Sequence, residues 1–344
     1  MISDFSQGRM SRRSLLLGAA LSTGLRALAL DSDEVQAKPS APGKLKICVF
    51  SKHFHWTSVK EAAAIAKDLG FDGIDLTVRP GGHVLPERVD TDLPAAVETI
   101  RRAGLEVPMI TTEITGVTSN HAEAILRTAS QLEIHHYRWG GLTYPADKSI
   151  EERIEELRPQ MKALADLNQE HRICGMYHTH SGSGLVGAPV WDLWTLFQGL
   201  DSRWIGINYD IGHATVEGGF GGWMASSRLV KDGMRGIALK DFTWQRNQET
   251  SRHRDSFEKA LDIETDWIPR WCATGQGMVN FPGFFAIAKA NRFSGPVQLH
   301  FEYPGLGGAE NGDKQLRIAK QDLIAAMRRD LAYIKAVMRA QKLV

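Results

Sequence analysis

The sequence predicts an α/β protein folded as a single (β/α)₈ barrel, on three observations. From Lys44 onward, short apolar, β-branched runs alternate with amphipathic helical stretches; the alternation recurs eight times; and no shift of composition interrupts it. Strand-then-helix repetition implies parallel strands, because a parallel neighbour is reached only through a long crossover. Eight such units close most economically into a barrel. A doubly wound open sheet is the structural alternative, but no strand is followed by a GxGxxG or phosphate-binding loop.

The first strand is read over 46–50, followed by a helix over 58–69 closed by Gly70. The second is 73–78, with a helix over 93–103 ending at Gly104. The third is 107–114, then a helix over 122–132. The fourth is 135–139, before a long helix over 150–170 whose Ile154, Leu157, Met161 and Leu164 share one face. Strand 173–180 with helix 190–200 and strand 204–210 with helix 223–232 follow. Strand 236–242 precedes a long insertion to about Gly277 and a helix over 281–291. Strand 296–303 and a helix over 315–342 complete the set.

The chain of 344 residues is 43% hydrophobic and 24% charged, a globular composition. Its 41 basic and 40 acidic residues give a formal charge of +1, without the basic surplus that neutralises phosphates, so no nucleic-acid partner is expected. Cys48, Cys174 and Cys272 show no metal-knuckle spacing and read as buried small hydrophobes. Ser11-Arg12-Arg13-Ser14-Leu15-Leu16-Leu17, a mildly apolar run and Ala27-Leu28-Ala29 resemble a twin-arginine export signal. Residues 1–30 are therefore expected to be a signal peptide, 31–43 a linker and 44–344 the barrel. The mature protein is expected to be periplasmic or secreted, off the membrane, and compatible with a homo-oligomer. The apolar run is too short and Gly/Ala-rich to span a bilayer comfortably.

Chemistry in such a barrel sits at the C-terminal strand ends, so polar residues at period two there are site candidates. On the fifth strand His178 and His180 share the face of Met176, which points both imidazoles into the mouth. On the sixth, Asn208 and Asp210 share a face and His213 follows a Gly turn; Asp210 as a helix cap is the competing reading. Lys240 points inward from the seventh, where it could hold an alkoxide beside a metal or form a structural ion pair, next to an outward Asp241 that could cap a loop. His300 and Glu302 share a face on the eighth, with Glu302 expected across the barrel from Asp210. Glu113 at the end of the third strand is a candidate acid/base group. Arg138 and Trp139 end the fourth and could line the pocket, and Asp75, Arg79 and His83 follow the second. His53 and His55 end the first, where either could contact substrate.

The ordered series Tyr177-His178-Thr179-His180, Asp210-x-Gly-His213, Leu239-Lys240-Asp241, Gly275-x-Gly277-x-Val279-Asn280-Phe281 and Glu302-Tyr303 resembles the xylose isomerase-like TIM-barrel superfamily. The likeness spans about residues 44–340. Members include sugar phosphate isomerases and epimerases, inosose dehydratase-like lyases and endonuclease IV-type proteins. The resemblance implies one divalent ion (Mn²⁺, Mg²⁺ or Zn²⁺) held by Glu, Asp, His and Glu of the last four strands. Asp210 and Glu302 match. The fifth strand offers His178 and His180 instead of Glu, and Ala238 stands where the seventh-strand His belongs. His300, His213 or Glu113 then substitutes, or the metal is weakened or lost.

The resemblance further implies a sugar or keto-sugar substrate and an isomerase, epimerase or lyase that removes a proton beside a metal-bound carbonyl. The expected catalytic groups are Glu113, His178, Lys240 and Glu302. The expected metal ligands are His180, Asp210, His300 and Glu302, and the expected substrate contacts are His55, Arg138, Trp139 and His213. The alternative is a carbohydrate-binding or accessory barrel that has lost its metal site and its chemistry. Trp191, Trp194, Trp223, Trp244, Trp267 and Trp271 add a supply of indoles for sugar stacking.

Overall fold

The structure is a computed structural model that describes residues 44–246 and 266–344. The signal peptide and linker expected over 1–43 lie outside the described residues, as does the middle of the insertion.

Eight parallel strands close the barrel. In chain order they and their helices are β1 (Ile47–Phe50), α1 (Val59–Leu69), β2 (Gly73–Thr77), α2 (Val89–Arg102), β3 (Glu106–Thr111), α3 (Ala122–Gln131), β4 (His136–Trp139) and α4 (Ile150–Glu170). Then come β5 (Cys174–His178), α5 (Trp191–Leu196), β6 (Ile205–Asp210), α6 (Ile211–Gly218), α7 (Gly222–Leu229) and β7 (Met234–Leu239). Two strands outside the barrel, β8 (Asp241–Arg246) and β9 (Trp267–Cys272), pair antiparallel before α8 (Phe281–Ala290), β10 (Val297–Leu299) and α9 (Lys320–Ala340). The order around the barrel is β1-β10-β7-β6-β5-β4-β3-β2.

Local chemistry sets the helix ends. Ser58 accepts the backbone N–H of Glu61, and Gly70 closes α1 at φ 91°, where a side chain would be strained. Ser149 and Glu152 form a reciprocal capping box on α4. Outward strand residues such as Ile74, Ile110, Tyr137, Tyr209 and Ile237 pack against the helices in one continuous core. Inside the barrel Met109, Cys174 and Met176 form a separate small plug.

Three departures from the sequence reading shape the site. The expected strand 236–242 is broken at Lys240. Beyond it, Asp241 accepts the backbone N–H groups of Phe242, Gly275, Gly277 and Val279, which turns the chain out of the barrel into the β8–β9 hairpin. Only glycine fits at 277, because an added Cβ would lie 2.2 Å from the Asp241 carboxylate and 2.4 Å from the Phe242 carbonyl. A helix outside the eight expected ones, α6, starts directly after Asp210, which caps it as the competing reading of that residue has it. The first strand stops at Phe50 and runs into a single 3₁₀ turn over Ser51–Phe54, so strand parity never reaches His53 and His55.

Candidate active site

Partners in register on neighbouring parallel strands share a face, so the inward set can be followed around the barrel. Phe50 pairs with Asp75, Thr77 with Thr111, Thr111 with Arg138, Arg138 with Met176, His178 with Asn208, and Asp210 with Ala238. Ala238 pairs in turn with Gln298, which places Lys240, His300 and Glu302 above them at the mouth. Asp210 and Glu302 are therefore not across the barrel from each other. Their strands flank β7, and Lys240 stands between them.

Deep in the barrel lies a polar layer. Thr111 Oγ1 donates to Asp75 Oδ2 (2.8 Å), Gln298 Nε2 donates to Asp75, and Asn208 Nδ2 donates to Gln298 Oε1. The same Asn208 nitrogen faces His178 Nδ1 at 3.1 Å. In this direction Nδ1 accepts and the His178 proton sits on Nε2. Asn208 Oδ1 is buried without a partner. Turning both amides over, with Asp75 holding a proton, lets Oδ1 accept from Nδ1–H and leaves Nε2 bare. Burial pushes the Asp75 carboxyl up to about 6 against the hydrogen bond from Thr111, so both directions are accessible near neutral pH. Gly236 makes room for this layer: a Cβ there would meet Met176 Sδ at 2.8 Å and Asn208 Oδ1 at 2.9 Å.

Above it the functional groups converge. One ring nitrogen each of His178 and His300 and one Asp210 oxygen lie within 4.8 Å of one another. His178 Nε2, Asp210 Oδ2 and both His300 nitrogens are buried with no hydrogen-bond partner. Asp210 serves two purposes at once: Oδ1 accepts the His213 N–H at 3.1 Å and caps α6, while Oδ2 faces His178 Nε2 at 3.6 Å. Lys240 Nζ lies 3.4 Å from that oxygen and 2.8 Å from Glu302 Oε2, and Lys52 Nζ lies 2.6 Å from Glu302 Oε1. Burial would raise the Glu302 carboxyl, but the two ammonium groups outweigh it and hold it well below the usual range. Burial also holds His178, His213 and His300 well below theirs, and pushes His180 down to about 3 with Arg138 beside it. The imidazoles are thus neutral at physiological pH. Two neutral imidazoles and a carboxylate with orphaned, convergent atoms fit a divalent ion.

A second triad, His178, His180 and His213, is equally compact but chemically different. His213 Nδ1 accepts from the Ser181 backbone N–H (3.0 Å) and lies 2.8 Å from its hydroxyl. A backbone N–H cannot be reversed, so the His213 proton sits on Nε2 and that nitrogen is a donor rather than a ligand. His213 therefore suits a substrate oxygen. His53 is locked at both ends, accepting from Phe301 N and donating to Ala309 O, each at 3.0 Å.

Other expected residues fall differently. Glu113 is exposed two residues past the end of β3, in a cleft with Pro86, Asn120 and His121, and no contact among the described residues joins it to the mouth. The strand expected to run to residue 114 stops at Thr111, so Glu113 lies in the loop beyond it. Trp139 alternates with the inward Arg138, so it points outward and packs edge-on against Tyr177 at 4.9 Å in the helix-facing core. His55 engages Thr77 Oγ1 at 3.0 Å and Gly312 O at 3.2 Å and meets the His83 ring edge-on at the rim. His180 lies beyond β5 yet keeps its ring 4.5 Å from His178, with Nε2 3.4 Å from Arg138 Nη2. Of the six indoles, only Trp271 reaches the site, 4.4 Å from Lys240 Nζ and 4.8 Å from the His213 ring. Trp223 is core, and Trp191, Trp194, Trp244 and Trp267 are exposed. Sequence reasoning missed Phe50, Lys52 and Gln298. Cys48 and Phe50 alternate inward on β1, a parity that could have revealed Phe50; Lys52 and Gln298 stand out only once Glu302 and Asp75 are placed.

Solved structures share this architecture at low identity. The 3-keto-D-glucoside 4-epimerase YcjR from E. coli matches with TM-score 0.59 and 13% identity, covering 85% of this chain and 100% of that one. The IolI protein with a bound zinc atom matches with TM-score 0.61 and 12% identity, covering 86% and 99%. The probable 3-DHS dehydratase AsbF from Bacillus anthracis matches with TM-score 0.58 and 13% identity, covering 84% and 99%. A search of curated protein sequences finds no match. The family model described as xylose isomerase-like TIM barrel matches residues 63–332. With that match over the same strands that carry the site, the chain belongs to the xylose isomerase-like TIM-barrel family.

Proposed function

We propose that this chain is a divalent-metal-dependent isomerase, epimerase or lyase acting on a sugar or keto-sugar, working outside the cytoplasm after twin-arginine export. The observation that carries the reading is the arc on β5, β6, β7 and β10. It sets orphaned donors of His178, Asp210 and His300 beside the ion-paired Lys240 and Glu302. His178, Asp210 and His300 would hold the ion, His300 supplying from the neighbouring strand the imidazole that Ala238 lacks. Bound there, a divalent ion polarises a substrate carbonyl and acidifies the adjacent carbon-bound proton.

The remaining roles belong to side chains. His180 stands neutral and partly exposed at the mouth, its ring 4.5 Å from His178. Burial and the Arg138 guanidinium make it a weak base in the free protein, and it accepts the proton from carbon once a bound anionic substrate offsets that guanidinium. Lys240 donates to the oxygen on which charge develops, and Glu302 keeps that ammonium aimed. His213 Nε2–H donates to a second substrate oxygen, and Trp271 covers the Lys240 side from water. The named activities of the structural relatives, among them an epimerase and a probable dehydratase, support the class of reaction.

The test is metal analysis of the purified mature protein together with proton exchange into keto-sugars in D₂O. One divalent ion per chain and exchange that disappears in His180→Ala are the expected results. A protein that binds no ion and exchanges no proton is a carbohydrate-binding barrel instead.

A further inference from the structure

The cations of the mouth are unevenly matched. Lys52 and Lys240 both lean on Glu302, and Lys240 also reaches Asp210. Arg138 and Arg79 have no such partner: among the described residues no carboxylate comes within ion-pair distance of either. Their guanidinium carbons lie 5.3 and 5.6 Å from the centre of the Phe50 ring, whose plane stacks on His300 at 5.0 Å. Arg138 Nη1 is buried with no hydrogen-bond partner, and Nη2 meets only His180 at 3.4 Å. Asp75 is buried in the polar layer and already accepts from Thr111 and Gln298. Four cations thus face three carboxyls, Asp75, Asp210 and Glu302. Burial pushes Arg138 down to about 10, which still leaves it charged at neutral pH.

A charged guanidinium with a dry, unused N–H is costly unless something completes it. An aromatic ring supplies part of that, but it accepts no directed hydrogen bond. We propose that Arg79 and Arg138 form an oxyanion grip beside Phe50 and that the substrate is a sugar acid whose carboxylate they hold. Two flat guanidinium forks match a planar pair of oxygens better than a tetrahedral group. The grip rests on the reading of the mouth as the substrate site. It sits on β4 and the loop after β2, across the barrel from β7 and β6, which carry Lys240 and Asp210, so a carboxylate held there leaves the reacting carbons free to lie over them.

The experiment is calorimetric titration of the purified protein with D-glucuronate, D-gluconate, D-glucose and D-glucose 6-phosphate. The wild type is compared with Arg138→Met and with Arg79→Met/Arg138→Met. The sugar acids bind at least about tenfold tighter than glucose, the scale of a charge-assisted hydrogen bond. That advantage shrinks with salt and disappears in both variants. Arg138→Met melts no lower than the wild type, because the guanidinium has no protein ion pair to lose. No advantage of the acids over glucose overturns the grip, as does an advantage that survives the double substitution. Glucose 6-phosphate binding tightest overturns the carboxylate assignment. Proton exchange is read separately. Exchange on neutral keto-sugars without acid preference removes the grip alone, and acid preference without any exchange removes the proton-transfer reading alone.

Discussion

Asp210→Asn separates the two jobs of one carboxylate. Its Oδ1 caps α6 through His213 N, and an amide oxygen can do the same, so the cap costs only a few tenths of a kcal/mol, against about 1 kcal/mol for Asp210→Ala. Burial raises the carboxyl's pKa, and its Oδ2 meets the Lys240 ammonium only at 3.4 Å, a cation that keeps its closer pair with Glu302 at 2.8 Å, so losing the charge costs the metal-free protein little. Metal binding is another matter. At a metal concentration a hundredfold above Kd the wild type gains about 2.7 kcal/mol, and after a hundredfold loss of affinity the same concentration yields only about 0.4 kcal/mol. For a chain of this size, about 2 °C per kcal/mol makes those shifts about 5 °C and about 1 °C. Differential scanning fluorimetry of EDTA-treated protein, with and without Zn²⁺ or Mn²⁺, reads both quantities. A variant that keeps the full metal shift shows that Asp210 is not a ligand. One whose metal-free Tm drops by more than about 3 °C shows that its charge holds the fold together through Lys240.

Three more outcomes follow from the packing and the titrations. His53, His55 and His180 are pushed down to about 3 by burial, and His178, His213 and His300 are depressed too. The stability this gives is fully present above pH 6.5 and is lost as pH falls toward 3, so urea midpoints measured at pH 7.5, 6 and 5 should decline in that order; a flat profile contradicts neutral burial. Asp75 has the opposite sign: raised to about 6, it stabilises below pH 4 and loses that contribution as pH rises through 6. Asp75→Asn should therefore gain on the wild type between pH 4 and 7.5, by at most roughly 3 kcal/mol at 1.36 kcal/mol per pH unit, and a gap that does not widen with pH refutes this. Gly236→Ala drives a methyl against Met176 and the fixed Asn208 amide, and should cost about 1–3 kcal/mol in urea denaturation; an unchanged midpoint would mean the polar layer yields freely.

The barrel was legible because strand and helix periods alternate without interruption, and because Gly70 and Gly104 announce where their helices end. Asp210, Lys240, His178, His300 and Glu302 were legible for a related reason: alternation along a strand states which way a side chain points. The same rule misplaced Glu113 and His55, where the strand had ended and the rule no longer applied. It was applied too loosely to Arg138 and Trp139, neighbours that cannot both face inward. Metal geometry was harder to read, because His213 and His178 are distinguished by what their second nitrogens touch. Ser181 and Asn208 come from other segments, and no local pattern encodes those contacts.

Asp241 has a bearing on how this barrel tolerates change. Its carboxylate gathers amides from both sides of the insertion, and β8 and β9 zip together in register from Asp241–Cys272 out to Arg246–Trp267. The chain that leaves after Lys240 is thus returned to a fixed address before α8 begins. Any change at the base of the hairpin therefore reaches Lys240 twice, through the Asp241 fastening next to it and through Trp271, on the returning strand, whose ring centre lies 4.4 Å from its ammonium.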